Sequence, residues 1–445
     1  MNKTEIVKHT AICIAILFLA SAGHLATAQS NPYTASINTA ADKIEQKVIN
    51  WRHDFHQNPE LGNREFRTAA IIAKHLESLG IEVKTKVGVT GVVGILKGAL
   101  PGYVIALRAD MNALPVEEKN DLPFASKVKT TYNGKETSVM HACGHDAHTA
   151  ILMGVAEILA SMKKDLKGTV KFIFQPAEEG APKGEESGAE LMVKEGVMEN
   201  PKVDVVFGLH MNAQSEVGKI DYRPAGFFAG VSDFKITVKG KPSHGSQPWL
   251  SVDPIVVAAQ IVSSLQTVVS RSVNLAQNPA VLTIGSIHGG NRHNIIPEQV
   301  EMEGDIRTFT QADEKLMTAR IHDIVEKTAE AAGATATVEM PYATHYPVTF
   351  NNEALTAAML PSLQKTAGKE NVLLVPAITG AEDFSFFAQK APGLYFRIGG
   401  LTKGKDPKTS GPHHTSQFLI DDSAFKTGLK AFCNLVFDYM EMKGK

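Results

Sequence analysis

The run HACGHDAH (141–148) sets three histidines, a cysteine and an aspartate within eight positions. A chain carrying such a run has to fold so that other polar fragments meet it. Candidates follow in order: QPAEEG around Glu178 and Glu179, FGLH ending at His210, and the pair His413-His414 far downstream. Cys143 and His145 are two apart, and a thiolate beside an imidazole suits a borderline divalent metal such as Zn²⁺ or Mn²⁺. One rival is a cysteine nucleophile activated by His145 or His148. Another is a buried cysteine flanked by helix-capping residues. The metal reading is preferred because carboxylates and further histidines stand at neighbouring strand ends.

Those strand ends come from the apolar pattern. YVIALRAD (103–110) is a continuous apolar run, the signature of a strand covered on both faces. TVKFIFQP (169–176) and VDVVFGLH (203–210) repeat it. Helical periodicity marks 43–56, with Ile44, Val48, Trp51 and Phe55 on one face. A second helix is expected from just after Pro59 to Leu79, with Gly80 as its C-cap. A third begins in or just after the cysteine motif, and a fourth covers AELMVKEGVM (189–198). Strands alternating with helices predict an α/β fold with a mostly parallel central sheet flanked by helices. Sites in such sheets form beyond the carboxyl ends of the strands, where Asp110, Glu178, Glu179 and His210 fall.

Residues 225–338 read differently, as strand, helix, strand, strand, helix, strand. That order is ferredoxin-like and predicts an α+β domain inserted into a discontinuous first domain, 33–222 and 340–445.

The ends and the composition narrow the setting. Lys3 and Lys8, an apolar core at 11–23 and Ala26-Thr27-Ala28 form a signal-peptide pattern over 1–28. The apolar run is shorter than the ~18 residues of a spanning helix. The expectation is a periplasmic or secreted protein with no stable membrane anchor after cleavage. Net charge is −2 and no basic run occurs, which argues against nucleic acid. The mature chain keeps only Cys143 and Cys433, so it is not built on disulfides. Cys433 lies in a helical pattern as a buried small hydrophobe.

Glu178-Glu179 at a strand end invites a division of labour. Neighbouring side chains on extended backbone point opposite ways, so one carboxylate can face a metal and the other a substrate water. His210 alone would read as a core histidine; beside the other fragments it reads as a ligand. Spacing does not decide between His413 and His414.

Taken together, LRADMNALP, MHACGHDAH, QPAEEG, GLH, GKPSHGSQPW, GGNRHNIIPE, GAEDFSFF and HHTSQF occur in that order. They resemble the dinuclear-metal aminoacylase and carboxypeptidase family, in the branch of hippurate hydrolases, bacterial N-acyl-amino-acid amidohydrolases and plant auxin-conjugate hydrolases. The resemblance implies Cys143, His145, Glu179, His210 and His414 as ligands of two divalent ions, Mn or Zn, with Co or Ni as alternatives. It implies Glu178 as general base and later acid, and Asp110 and Asp146 as groups that orient ligands. In the inserted lid and dimerisation domain, it implies His244 as the oxyanion stabiliser, often across a homodimer interface. Asn294 and Arg307 would hold the substrate carboxylate. The implied reaction is cleavage of an N-acyl amino acid or small peptide with a free carboxylate, through metal-bound water. A metallo-carboxypeptidase or dipeptidase is the alternative, and a catalytically silent binding relative a further one. Three positions depart from the pattern. Asn112 stands for a more usual aspartate. Arg108 stands where other branches have a metal histidine. Pro248-Trp249 replaces proline-histidine.

Overall fold

The computed structural model describes residues 32–442; the leader pattern at 1–28 lies outside them. Eight strands form the large sheet, in the spatial order Glu82–Val87, Gly91–Lys97, Lys167–Gln175, Leu100–Asp110, Val205–Glu216, Gly393–Leu401, Ile220–Tyr222 and Val372–Leu374. The central four run parallel to one another, with antiparallel pairing toward both edges. Side chains alternate across a strand, and the two faces are sorted accordingly. Ile105, Leu107 and Ala109, with Phe172, Phe207 and Phe396, pack against the helices Thr34–Gln57, His145–Ser161 and Phe425–Met440. On the other face Ala106, Ile173, Val206 and Tyr395 join a smaller core with Phe384 and Phe387. The same alternation puts Arg108, Asp110, Gln175, His210 and Arg397 on this second face, toward the carboxyl ends. There the sheet stops being apolar.

The second sheet is antiparallel, in the order Val281–Gly289, Gln299–Thr308, Gly230–Lys239, Thr335–Glu339, with His345–Tyr346 added to Gly230–Lys239. Two helices, Pro254–Thr267 and Gln311–Ala331, close one face through Phe234, Ile236, Met302, Ile261, Leu265, Met317 and Ile321. The sequence of elements and the strand order are those of a ferredoxin-like unit. Pro254–Ser272 is apolar and long enough to cross a membrane by length and composition, but Val257, Ile261, Leu265 and Val268 are spent on this core.

The helix expected over 189–198 spans only Gly188–Lys194, and two further differences bear on the site. The second helix begins at Phe66, and 58–65 is a loop. The Glu60 carboxylate accepts from the Arg67 and Thr68 amides at 2.9 and 2.8 Å, which starts the helix there. Nor does the strand of His210 end on it. Val205–Glu216 continues because Gly393–Leu401 goes on pairing with it as far as Glu216. Its other neighbour, Leu100–Asp110, leaves it at Gly208, so His210 sits at a one-sided gap.

Candidate metal centre

Breaks in regular structure deliver Cys143 with His145 and the two glutamates, while His210 comes from within the strand Val205–Glu216. Gly144, at φ 97°, turns the chain between Cys143 and the first residue of the helix His145–Ser161. A side chain there would be strained by that φ and would meet the Met211 side chain at 2.9 Å. Ala177, at φ 49°, turns the chain between the strand Lys167–Gln175 and Glu178. Asn112 ties the two fragments together. Its side-chain oxygen accepts from the Glu178 amide at 2.9 Å, and its carbonyl meets His145 Nδ1 at 2.9 Å. The departure at Asn112 therefore leaves a residue that positions both.

The fragments converge on the floor of a cleft of about 850 Å³ between the two sheets. Cys143 Sγ is 3.4 Å from His210 Nε2, and His414 Nε2 is 2.8 Å from Glu179 Oε1. His145 Nε2 is 3.8 Å from both Glu178 Oε2 and Asp110 Oδ2. Donor atoms fall within 4.8 Å of one another in the sets Cys143-His145-His210, Cys143-Glu179-His414 and His145-Glu178-Glu179. Ligands bonded at ~2.0–2.3 Å to one ion stand at most about 4.6 Å apart, so these sets are close to ligand spacing.

The hydrogen bonds fix which ring nitrogen is free. His145 Nδ1 and His210 Nδ1 donate to the carbonyls of Asn112 and Met211, at 2.9 and 2.6 Å. That leaves Nε2 of each as an acceptor facing the site, and His145 Nε2 is buried without a hydrogen-bond partner. His148, by contrast, is fully used. Its Nδ1 meets Asp110 Oδ1 at 2.6 Å and its Nε2 accepts from the Met211 amide at 2.7 Å. It can neither bind a metal nor activate Cys143.

Around the candidate ligands, carboxylates crowd the floor. Burial, then Glu382, Glu179, Asp383 and Asp110, push the Glu178 carboxyl well above its usual range. Burial, then Glu179 and Glu178, push the Cys143 thiol up as well, which makes it a poor nucleophile on its own. Burial pushes His145 and His210 down, so both are neutral. Burial alone would raise Asp110, but Arg108, His145 and His148 hold it well below the carboxylate range. Neutral imidazoles, a thiol and crowded carboxylates are the donor set a divalent ion would complete.

Behind the floor, Asp110 belongs to a network whose other members have no role assigned from the sequence. Arg108, wholly buried, reaches Asp110 at 2.7 Å, Glu382 at 2.8 Å and Asp383 at 2.9 Å. Gln175 and Tyr395 complete it, bonding Asp383 and Glu382. Glu178, Glu382 and Asp383 themselves lie within 4.8 Å of one another. The motifs LRADMNALP and GAEDFSFF were the available signals.

The remaining expected residues divide. Arg307 lines the cleft from the lid sheet, its Nε 2.7 Å from Asp305. His413 lies 3.6 Å from Cys143 Sγ but gives its other nitrogen to the Ala213 amide, while His414 reaches Glu179. Asp146 points away from the ligand set, to Arg52 at 2.8 Å and His56 at 2.7 Å. It ties the motif helix to Thr34–Gln57 instead of orienting a ligand. His244 and Asn294 do not line the cleft of their own chain. They sit together at the far end of the lid, where Ser243–His244 pairs with Ile295–Ile296.

A sequence profile described as peptidase family M20/M25/M40 matches residues 106–438. Thermostable carboxypeptidase 2 of Saccharolobus solfataricus is 39% identical over 398 residues, covering 89% of this chain and 96% of that protein. N-acetylcysteine deacetylase of Bacillus subtilis is 38% identical over 406 residues, covering 90% and 99%. A Bacillus subtilis crystal structure, described as a dinuclear metal binding peptidase from the M20 family, superposes with a TM-score of 0.74. It is 33% identical and covers 90% of this chain and 99% of that one.

Proposed function

We propose that this chain, which belongs to peptidase family M20/M25/M40 and is a metal-dependent hydrolase, cleaves the amide of N-acyl amino acids or small peptides that carry a free carboxylate. Cys143, His145, Glu179, His210 and His414 would hold two divalent ions, and Glu178 would move the proton. The observation that carries this is the convergence of one sulfur, three imidazoles and two adjacent glutamates at ligand spacing on one cleft floor. Manganese or zinc suits the mixed sulfur, nitrogen and oxygen set.

Bound there, the ions would polarise the scissile carbonyl and acidify the attacking water. The chain's own groups do the rest. Glu178, acting as the carboxylate, takes the water's proton and, then protonated, hands it to the leaving amine. Arg307 offers a planar fork to the substrate carboxylate. His244 would donate to the developing oxyanion of a partner subunit. Exposed Trp249, Leu250, Ile255, Val256 and Ile295 around it support a homodimer face. Export after cleavage behind Ala28 belongs to the same proposal and rests on the leader pattern.

The names of the relatives keep open whether peptides or acyl amino acids are preferred. Turnover of hippurate, N-acetyl amino acids and dipeptides, measured on one preparation, separates these. Chelation should abolish hydrolysis, and Mn²⁺, Co²⁺ or Zn²⁺ should restore it. Activity that survives complete metal removal and is lost to iodoacetamide would replace this reading with a cysteine hydrolase.

A further inference from the structure

The cleft is lined by two arginines. Arg307 hangs from the lid and is paired with Asp305. Arg397 stands on the floor, on Gly393–Leu401, directly opposite His210 in the parallel register. Paired residues leave a parallel sheet on the same face, so its guanidinium and the His210 ring share one side, and both line the cleft. A guanidinium has five N–H groups. Among the described residues Arg397 makes one hydrogen bond, from Nη2 to Asp221 Oδ2 at 3.1 Å. That carboxylate also takes Asn212 Nδ2 at 2.8 Å and Ser215 Oγ at 3.4 Å. Arg397 Nε is buried with no acceptor, and the group stands 5.9 Å from the centre of the Phe227 ring.

Leaving such a donor unmet is costly, because the buried N–H has given up its water without gaining a partner. A purely structural arginine would be expected to have found a second acceptor. Of the acidic residues that line the cleft, Asp233, Glu303 and Asp305 are on the lid strands and already engage Arg307 and the lid backbone in part. Glu178, Glu179 and Glu382 are on the floor and none of them bonds Arg397, Glu179 meeting His414 and Glu382 meeting Arg108. The floor next to His210 is thus where the cleft has cationic capacity to spare.

We propose that Arg397 is a second carboxylate-binding residue of this cleft. The inference rests on the hydrolase reading above and extends it to a substrate class: N-acyl amino acids that carry a carboxylate besides the α-carboxylate. That second group has two sources, a dicarboxylic acyl chain such as succinyl or the side chain of aspartate or glutamate.

The test uses the full, metal-reconstituted chain, N-acetylalanine, N-succinylalanine and N-acetylaspartate. Wild type should favour one of the two dicarboxylates over N-acetylalanine in kcat/KM. Arg397→Met should cost at least about tenfold on that dicarboxylate, the value of a charge-assisted hydrogen bond, and no more than about twofold on N-acetylalanine. Arg397→Lys should recover part of the loss. Which dicarboxylate responds identifies the source. Equal losses on all three substrates, or no preference in wild type, overturn the proposal. Calorimetric binding of N-succinylalanine and N-acetylaspartate to Glu178→Ala, with and without Arg397→Met, reads the subsite without turnover. If no amide is cleaved but one of these ligands binds more weakly by about tenfold once Arg397 is lost, the subsite stands and the hydrolase reading fails. If both bind equally well with and without Arg397, the subsite fails.

Discussion

Glu178 is set among carboxylates, and that crowding defines its job. Burial together with Glu382, Glu179, Asp383 and Asp110 makes its proton hard to lose, so it is a good acceptor once nearby cations offset the field. Glu178→Gln keeps the shape and removes the base. Turnover should fall at least ~100-fold, the low end for acid–base catalysis, with metal content by atomic absorption unchanged; near-wild-type kcat would refute the role. Cys143→Ser should do the reverse, lowering metal content first. Undiminished metal with intact activity would remove Cys143 from the ligand set. Both residues were readable in the chain because their signals are local: Cys143 and His145 are two apart, and Glu178 follows a buried strand. Arg108, Glu382 and Asp383 were not. Their bonds join residues 274 and 275 positions apart, and nothing in RAD or AED alone says that one neutralises the other. Likewise His148 and Asp146 share a motif with ligands, yet their other partners, Met211 and Arg52, come from elements the motif does not contain.

Among the elements, the loop 58–65 carries more than the helix expected in its place would have. It packs against the turn that presents the two glutamates: a Cβ on Gly62 would meet the Gly180 carbonyl at 2.2 Å. Glu65, fully buried, accepts from the Ala177 amide at 2.8 Å and from Thr90 at 2.5 Å, and so braces the residue before Glu178. Burial pushes its carboxyl up to about 7, with Glu60 adding to the shift. Arg64 and Tyr132 are its other titratable neighbours. A folded pKa above the unfolded 4.5 means that the protonated form is favoured by folding. Its stabilisation is full below about pH 4.5 and is lost as pH rises through about 7, an effect of about 3 kcal/mol. Glu65→Gln is neutral throughout. Its melting temperature relative to wild type should therefore climb between pH 5 and 8; a flat difference would mean that Glu65 does not titrate there. Periodicity located the strands and most helices because each buries an apolar face. It missed this loop because a carboxylate cap, not a change of pattern, sets where the helix begins.

At the scale of the molecule, the cleft is built by two sheets, but its expected complement is not found in one chain. Glu178 and the ligand set lie on the cleft floor, while His244 and Asn294 stand at the far end of the lid among exposed Trp249, Leu250, Ile255 and Ile295. His244 is itself exposed, its Nδ1 taken by Ser246, so its Nε2 is left to act on something outside its own cleft. A two-fold dimer in which each lid reaches the other subunit would reconcile these positions, since an isologous interface makes each contact twice. The consequence can be measured with two inactive variants. Glu178→Ala and His244→Ala should each abolish turnover as homodimers. Mixed and allowed to exchange subunits, they form a heterodimer in which one cleft has an intact Glu178 from one chain and an intact His244 from the other. Random pairing would return about a quarter of the wild-type activity. If His244 served its own chain, every cleft in the mixture would lack one residue or the other, and the mixture would stay as inactive as its parts.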